Sequence, residues 1–475
     1  MRRTSAGAEP PSRFVRVAIV LPTEYAYARG VLRGIIAATR ERNLYASASR
    51  ASAGPTRGPA ARSAPQHNPP PWLFRVYRGI YGHWSRYFID WFRDFNPDAV
   101  ICQIPDDRMT RLFRDTGKPV VELFESRPES PFPRILPDDV ATGQMAAQHF
   151  LERGFRHFAF FGGKRFLWSR EREKGFRQEI ERAFRQRAEL HARANAQPDD
   201  NNGRRTAPPP VSTEFTFASH GDSDDLAPTA SLPGRRHRRR ASAMSNWLVS
   251  LPKPLALFAA NDLWGFELVQ AAREAGLHVP DDVAVLGVDN EELLCEMAHP
   301  PLSSIRIAAE QIGRTAVMLL DRMLLEGLTN LPASSLPPRI PPIEVVTRQS
   351  TDVLAVEDPN VAEAIRYIRA HAVEGLSVKQ MLDALPVNRR TLERRFISVL
   401  GHSPLDEIRR VRLERAKALL QTDLPIYEVA ARSGFATAEY LATSFLQATG
   451  MTPTAYRRQF APRTTWQNLP PRLED

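Results

Sequence analysis

The stretch RSGFATAEYLATSFLQATGMTPTAYRR, Arg432–Arg458, decides how the last quarter of this chain folds. Leu441 and Phe445 fall one helical turn apart, Gly434 precedes them, and Gly450 and Pro453 follow. An active-site motif would instead gather side chains that move protons or hold a metal. Just upstream, Ile426, Val429 and Ala430 form the apolar face of a shorter helix, and Gly434-Phe435 reads as the turn between the two. Such spacing docks the second helix across the first and leaves its other face pointing outward.

The same arrangement occurs earlier, in SVKQMLDALPVNRRTLERRFISVLGHSP, Ser377–Pro404. Val378, Met381, Leu382 and Leu385 make the first apolar face, and Leu392 and Phe396 make the second. Pro386 interrupts them, and Asn388 is placed to cap the second helix. Both segments close on Phe, then Gly, then Ser or Thr and Pro: Phe396–Pro404 and Phe445–Pro453. A duplicated helix pair is harder to ascribe to chance packing than a single one. The outward face of the first pair carries Arg389, Arg390, Glu393 and Arg394. A cationic helix of this size fits the major groove, where Arg can bond guanine O6 and N7 together. Between the pairs, RRVRLERAKALL (Arg409–Leu420) is expected to continue a cationic surface towards phosphates.

Upstream of residues 350–358 the pattern changes from helices alone to alternating strands and helices. RVAIVLP (Arg16–Pro22), AVICQI (Ala99–Ile104), PVVELF (Pro119–Phe124), HFAFFGG (His157–Gly163), LALFAAND (Leu255–Asp262) and VAVLGVDN (Val283–Asn290) are short apolar runs separated by amphipathic segments, the first a helix near Ala28–Arg42. They predict an α/β architecture of two doubly wound lobes with parallel sheets over 14–350, followed by an all-α domain over 359–462. Ligands of such sheets sit beyond the carboxyl ends of the strands. Residues 46–71 and 193–243, the second with RRHRRR at Arg235–Arg240, are rich in Ala, Arg, Pro and Ser, and are expected to be disordered inserts. The ends, 1–13 and 463–475, read as tails.

Composition narrows the function classes. A net charge of +10 and a pI near 9.9 favour a polyanionic partner. Two cysteines, Cys102 and Cys295, make neither a disulfide framework nor a four-ligand zinc site, which fits a reducing cytoplasm. No apolar run reaches the ~18 residues of a membrane span, and the start lacks a signal-peptide core.

The C-terminal residues resemble the AraC/XylS family of transcription regulators. The second pair carries the family pattern at Ile426, Glu428-Val429-Ala430, Gly434-Phe435, Phe445, Gly450, Pro453 and Tyr456-Arg457. The resemblance implies a double-stranded DNA operator, a homodimer and contact with RNA polymerase. It adds Ala438, Glu439 and Thr443 of the second recognition helix as DNA-facing residues. Where the family often has a basic residue, this chain has Thr443.

Val283–Leu324 is similar to the LacI-type, periplasmic-binding-protein-like sensor core, and its combination with an AraC-type end resembles the xylose-operon regulators. Tyr27, Arg29, WSRERE (Trp168–Glu173), AAND (Ala259–Asp262) and GVDNEE (Gly287–Glu292) carry that resemblance. It implies activation of pentose-utilisation genes, a small sugar effector such as D-xylose held in the interlobe cleft, dimer geometry that changes with the sugar, and no cofactor or metal. The candidate ligand residues are Tyr27, Arg29, Trp168, Arg172, Asp262, Asp289 and Asn290. A carboxylate, an amide and a guanidinium each take adjacent sugar hydroxyls, and Trp168 can cover a C–H face. Blander readings compete: Asp289-Asn290 as a turn, Arg172 as a surface helix residue, Trp168 as packing, and Asp138 as a helix cap. Two features depart from the pattern. Ala28 stands where xylose-binding members have a polar residue, and the first insert replaces the expected second strand. Other classes remain in view: a glycosidase using Asp262 and Asp289, a methyl-acceptor repair protein using a cysteine, and a ligand-independent DNA-architectural protein.

Overall fold

The computed structural model describes residues 14–52, 70–77, 86–104, 106–124, 129–196, 214–222, 234–331, 336–353, 355, 358–420 and 422–460. Both expected tails and most of the first insert, residues 53–69, lie outside them. The described chain forms two compact units, one reaching to Pro137 and including Ala309–Ile340, the other comprising Asp138–Ala308 and the chain from Pro341 onward.

The first unit contains β1 (Val15–Val20), α1 (Ala26–Ser52), β2 (Trp72–Tyr77), α2 (Arg86–Phe95), β3 (Ala99–Cys102), α3 (Asp107–Asp115) and β4 (Val120–Glu122). Its sheet is parallel throughout, in the order β2-β1-β3-β4. Residues of β3 are buried, which is why that strand reads as an unbroken apolar run, and β4 is buried as well but ends on Glu122.

The second unit begins with α4 (Asp139–Leu151), β5 (His157–Gly163), α5 (Leu167–Ala196), β6 (Thr216–Asp222) and α6 (Gly234–Ser250). It continues with β7 (Leu255–Ala259), α7 (Asp262–Glu274), β8 (Val283–Val288), α8 (Glu292–Met297) and β9 (Ser303–Arg306). The chain then supplies α9 (Ala309–Glu326) to the first unit and β10 (Glu344–Val346) to the second. The second sheet runs β10-β9-β8-β7-β5-β6, with only β10 antiparallel.

Two expectations about the inserts need correction. The first does not replace the second strand: Trp72–Tyr77 pairs along its whole length with Val15–Val20. The second is ordered in part, because Thr216–Asp222 pairs with β5 and Arg235–Arg240 lie inside α6. Both overlooked strands sit at sheet edges, where one flank meets no neighbour and the sequence need not be an apolar run. Helix α1 likewise continues past Arg42 to Ser52.

Each unit locks one helix pair through glycine. A Cβ on Gly34 of α1 would lie 1.9 Å from the Glu310 carbonyl oxygen, and one on Gly313 of α9 would lie 2.1 Å from that of Val31. In the second unit, a Cβ on Gly143 of α4 would lie 2.0 Å from the Arg172 carbonyl oxygen, and one on Gly175 of α5 would lie 2.1 Å from that of Val140. Glycine inside a helix costs about 1 kcal/mol relative to alanine, so these four positions mark backbone-to-backbone crossings that no side chain could enter.

The remaining helices are α10 (Pro359–His371), α11 (Val378–Ala384), α12 (Arg389–Leu400), α13 (Pro404–Leu420), α14 (Ile426–Arg432), α15 (Ala438–Thr449) and α16 (Pro453–Phe460). They build two small cores. Met381, Leu385, Leu392 and Phe396 lie in one, and Val429, Ala430, Phe435, Leu441 and Phe445 in the other. Long helix α13 lends Ile408 to the first and Leu413, Ala416 and Leu420 to the second.

Candidate functional site

The sugar-facing candidates gather where the second unit's strands end. Strand β8 stops at Val288, and the next two residues turn into the left-handed region, Asp289 at φ 102 and Asn290 at φ 48. Few side chains tolerate that backbone, and such strain is held only where surrounding contacts over-determine it. Here the Asp289 amide donates to the Ile305 carbonyl at 2.9 Å, and the Asn290 amide donates to the Ser304 hydroxyl at 3.0 Å. Arg348 donates to the Asn290 side-chain oxygen at 3.1 Å.

Asp262 opens α7 directly after β7, and it is 2% exposed. Its carboxylate accepts the Ser304 hydroxyl at 2.5 Å, the Glu291 amide at 2.7 Å and the Cys295 thiol. Burial, and next the charge of Asp289, push its pKa well above the usual carboxylate range. Asp262 therefore braces the loop after β8 in addition to being a candidate sugar residue. Gly287 is part of that brace, since a Cβ there would come within 2.2 Å of the Asp262 oxygen.

Arg172 is buried rather than a surface helix residue. It pairs with Asp139 at 2.7 Å and donates to the Ala260 carbonyl at 2.6 Å. Its guanidinium lies 4.9 Å over the Trp168 ring, a cation–π contact. Trp168 itself stacks with Phe166 at 5.7 Å and with Trp264 at 6.0 Å, interplanar angles 24° and 19°. Burial raises the Asp289 pKa, and the nearby positive charge of Arg172 pulls it back down.

Trp168, Arg172, Asp262, Asp289 and Asn290 thus belong to one region of the second unit. Tyr27 and Arg29 belong to the first unit, where the Tyr27 hydroxyl donates to the Leu123 carbonyl at 2.6 Å and Arg29 donates to the Glu24 carbonyl at 2.6 Å. Asp138 is a helix cap, accepting the Ala141 amide at 2.9 Å. Sequence reading missed Asp139, Trp264, Ser304 and Arg348. Trp264 was within reach, two residues beyond AAND, whereas Ser304 meets the site through pairing of β9 with β8 and Arg348 through pairing of β10 with β9.

On the helical side, α12 is capped by Asn388, whose side chain accepts the Thr391 amide at 2.9 Å, and it ends on Gly401 at φ 83. Arg389 pairs with Glu393 at 2.8 Å along the helix. Arg390 and Arg394 are exposed and form no ion pair among the described residues. In α15 the Thr443 hydroxyl donates back to the Glu439 carbonyl at 3.0 Å; both residues are exposed, and Ala438 is half-buried. The expected cationic surface along Arg409–Leu420 is only partly real. Arg412 is buried and donates to the carbonyls of Ala372 at 2.8 Å and Leu376 at 2.6 Å, Arg410 binds Glu407 at 2.8 Å, and Arg409 donates to the Tyr440 hydroxyl at 3.1 Å.

A two-unit α/β body with a polar, aromatic-walled site at its strand ends, joined to paired helix-turn-helix units, defines a ligand-responsive transcription regulator. The chain belongs to the family of xylose operon regulatory proteins. It is 30% identical to the member from Escherichia coli strain K12 over 381 residues, 78% of this chain and 86% of that protein. The member from Haemophilus influenzae is 28% identical over 379 residues, 78% and 87% of the two chains. Family models match as well, a periplasmic binding protein-like domain over 147–351 and a helix-turn-helix domain over 381–459. The solved structure of the xylose-binding transcription activator xylR aligns with 94% of this chain and 98% of its own, at 25% identity and a TM-score of 0.48. These relatives are regulators rather than enzymes. Asp262 is bound into the fold, and burial pushes the Cys295 thiol up, away from the activated state a methyl acceptor needs. No helix among the described residues is long and apolar enough to cross a membrane.

Proposed function

We propose that the effector is a pentose, D-xylose first, and that the chain acts in the cytoplasm as a homodimer that activates pentose-utilisation genes through RNA polymerase. The names of the relatives support the sugar class. The observation that carries the site is the strained turn at Asp289 and Asn290 beside Arg172 and the Trp168 ring. A carboxylate held by backbone strain offers its oxygens in fixed positions, and an aromatic stack offers an apolar face of the kind a sugar ring presents. Within the second unit, Asp289, Asn290 and Trp168 would touch the sugar, with Arg172 and Asp262 holding that surface in place; Tyr27 and Arg29 of the first unit are further candidate sugar residues. Arg389, Arg390, Glu393 and Arg394, then Ala438, Glu439 and Thr443, form the proposed DNA face, with the regulatory domain taken as 359–462 and the sensor as 14–350. A thermal-shift panel of pentoses and hexoses tests the reading. D-xylose should raise the melting temperature well above every hexose, and equal shifts from all sugars would refute it.

A further inference from the structure

Helices α4 and α5 meet each other at the candidate sugar site and, further along, contact the DNA-binding helices. Near the site, Asp139 at the start of α4 pairs with Arg172 of α5 at 2.7 Å. About 20 Å along the same two helices, counting roughly 1.5 Å per residue, stand Glu152 and Arg187. Glu152 caps α4 at its C-terminus, and its carboxylate forms an ion pair with Arg410 of α13. Its backbone carbonyl accepts Arg369 of α10 at 3.2 Å. Arg187 donates to the carbonyl of Leu400, the last residue of α12, at 3.1 Å.

The Arg187 contact is unusual in its chemistry. Arg187 is 5% exposed, and its guanidinium lies 4.8 Å over the Phe184 ring and is lowered in pKa by burial, to about 10. A buried cation persists only where something compensates it, and here the carbonyl end of α12 supplies the negative pole of a helix dipole. Gly401 makes the approach possible, because a Cβ there would sit 2.5 Å from the Arg187 Cγ. Between the two ends, the Gly143 and Gly175 crossing puts the helix backbones in contact, so the pair resists sliding and bending.

We propose that α4 and α5 form a rigid strut that carries the state of the ligand site to the first recognition helix, with Glu152 and Arg187 as its positioning residues. The inference rests on the sugar-site reading for its input, while its output end stands on the contacts with α12 and α13. A shift of the Asp139–Arg172 end when a ligand engages Asp289 would rotate both helices together. The recognition helix, capped directly by Arg187, would follow.

The test uses full-length Glu152→Gln, Arg187→Met and Arg187→Lys, with an operator selected from random DNA by the wild-type chain. Three readouts separate the parts. The thermal shift by D-xylose should match wild type in every variant. The factor by which D-xylose changes operator affinity should fall towards one in Glu152→Gln and Arg187→Met and recover partly in Arg187→Lys. Without any sugar, amides of α12 and α13 should exchange about tenfold faster in the first two variants. Wild-type exchange together with a wild-type sugar response on DNA in both would overturn the strut. No thermal shift in the wild-type chain would overturn the sugar reading instead, and the exchange comparison would still decide whether Glu152 and Arg187 hold the recognition helix.

Discussion

Arg390 and Arg394 stand one turn apart on the exposed side of α12, opposite Leu392 and Phe396, which are fully buried. Two long cations that form no ion pair among the described residues are suited to reading base edges. Replacing either by Ala should cost about 1–3 kcal/mol on a cognate operator and little on random DNA, measured by competition binding. Arg409→Ala should weaken both DNAs alike and by less, since its guanidinium already serves the Tyr440 hydroxyl. Equal losses from all three variants on both DNAs would remove base readout from α12. His149 gives a residue-scale prediction of another kind. It is buried against the Thr351 hydroxyl at 2.9 Å, and burial, then Arg153, Arg369 and Arg410, drive its pKa well below the usual 6.5. The folded state therefore favours the neutral ring. Its contribution is complete above pH 6.5 and is lost as pH falls below that value, by up to about 1.4 kcal/mol per pH unit. His149→Gln should flatten this acid limb in urea unfolding at pH 5 to 7, and an unchanged slope would exclude His149 as its source. At this scale the position of Asp289 and Asn290 at a strand end was legible, because they follow an apolar run directly. The sequence could not reveal that Asp262 is a brace, because Ser304, Glu291 and Cys295 reach it from other segments.

The elements show the same division between local and distant information. Strands β1, β3, β5, β7 and β8 were readable because a strand flanks each on both sides and their residues form apolar runs; β4 is an edge strand, but it is buried and begins with two valines, so it was readable too. Strands β2, β6 and β10 lie at sheet edges, and β9 opens with two serines whose hydroxyls bond inside the unit, so neither type carries an apolar run. The helix-turn-helix pairs were legible almost whole, since each takes its core from residues three, four or seven positions apart. One consequence is an altered expectation for the second insert. A disordered stretch could be removed at no cost, but deleting 193–243 takes away β6, which pairs with β5 over seven residues, and the first part of α6. The deletion should lower the melting temperature by about 5 °C or more, given roughly 2–4 °C per kcal/mol for a unit of this size. A melting curve identical to wild type would show that β6 adds nothing to the second unit.

Over the whole molecule, the proposed sugar residues and the proposed DNA-facing residues are separate groups of side chains, and that separation can be tested with one substitution. Asp289 lies in the loop after β8, while the contacts that hold α12 come from Glu152 and Arg187 at the other ends of α4 and α5. Asp289→Ala removes the strained carboxylate without touching those contacts. The backbone gains nothing from alanine, which tolerates φ 102 poorly, so stability without ligand should stay the same or fall slightly. The sugar would lose an acceptor for two hydroxyls in a site closed to water, at a cost of about 1–3 kcal/mol for each unmet bond. At two such bonds the affinity falls by roughly two orders of magnitude or more, enough to abolish the thermal shift by D-xylose at concentrations that saturate wild type. Operator affinity without sugar should remain at the wild-type level, because a ligand moves a conformational equilibrium only through its differential affinity for the two states. Asp289→Gly, which relaxes the backbone but lacks the carboxylate, should behave like Asp289→Ala towards sugar and be as stable or more so. Should either variant keep the full D-xylose shift, the carboxylate after β8 is not the group that binds the sugar.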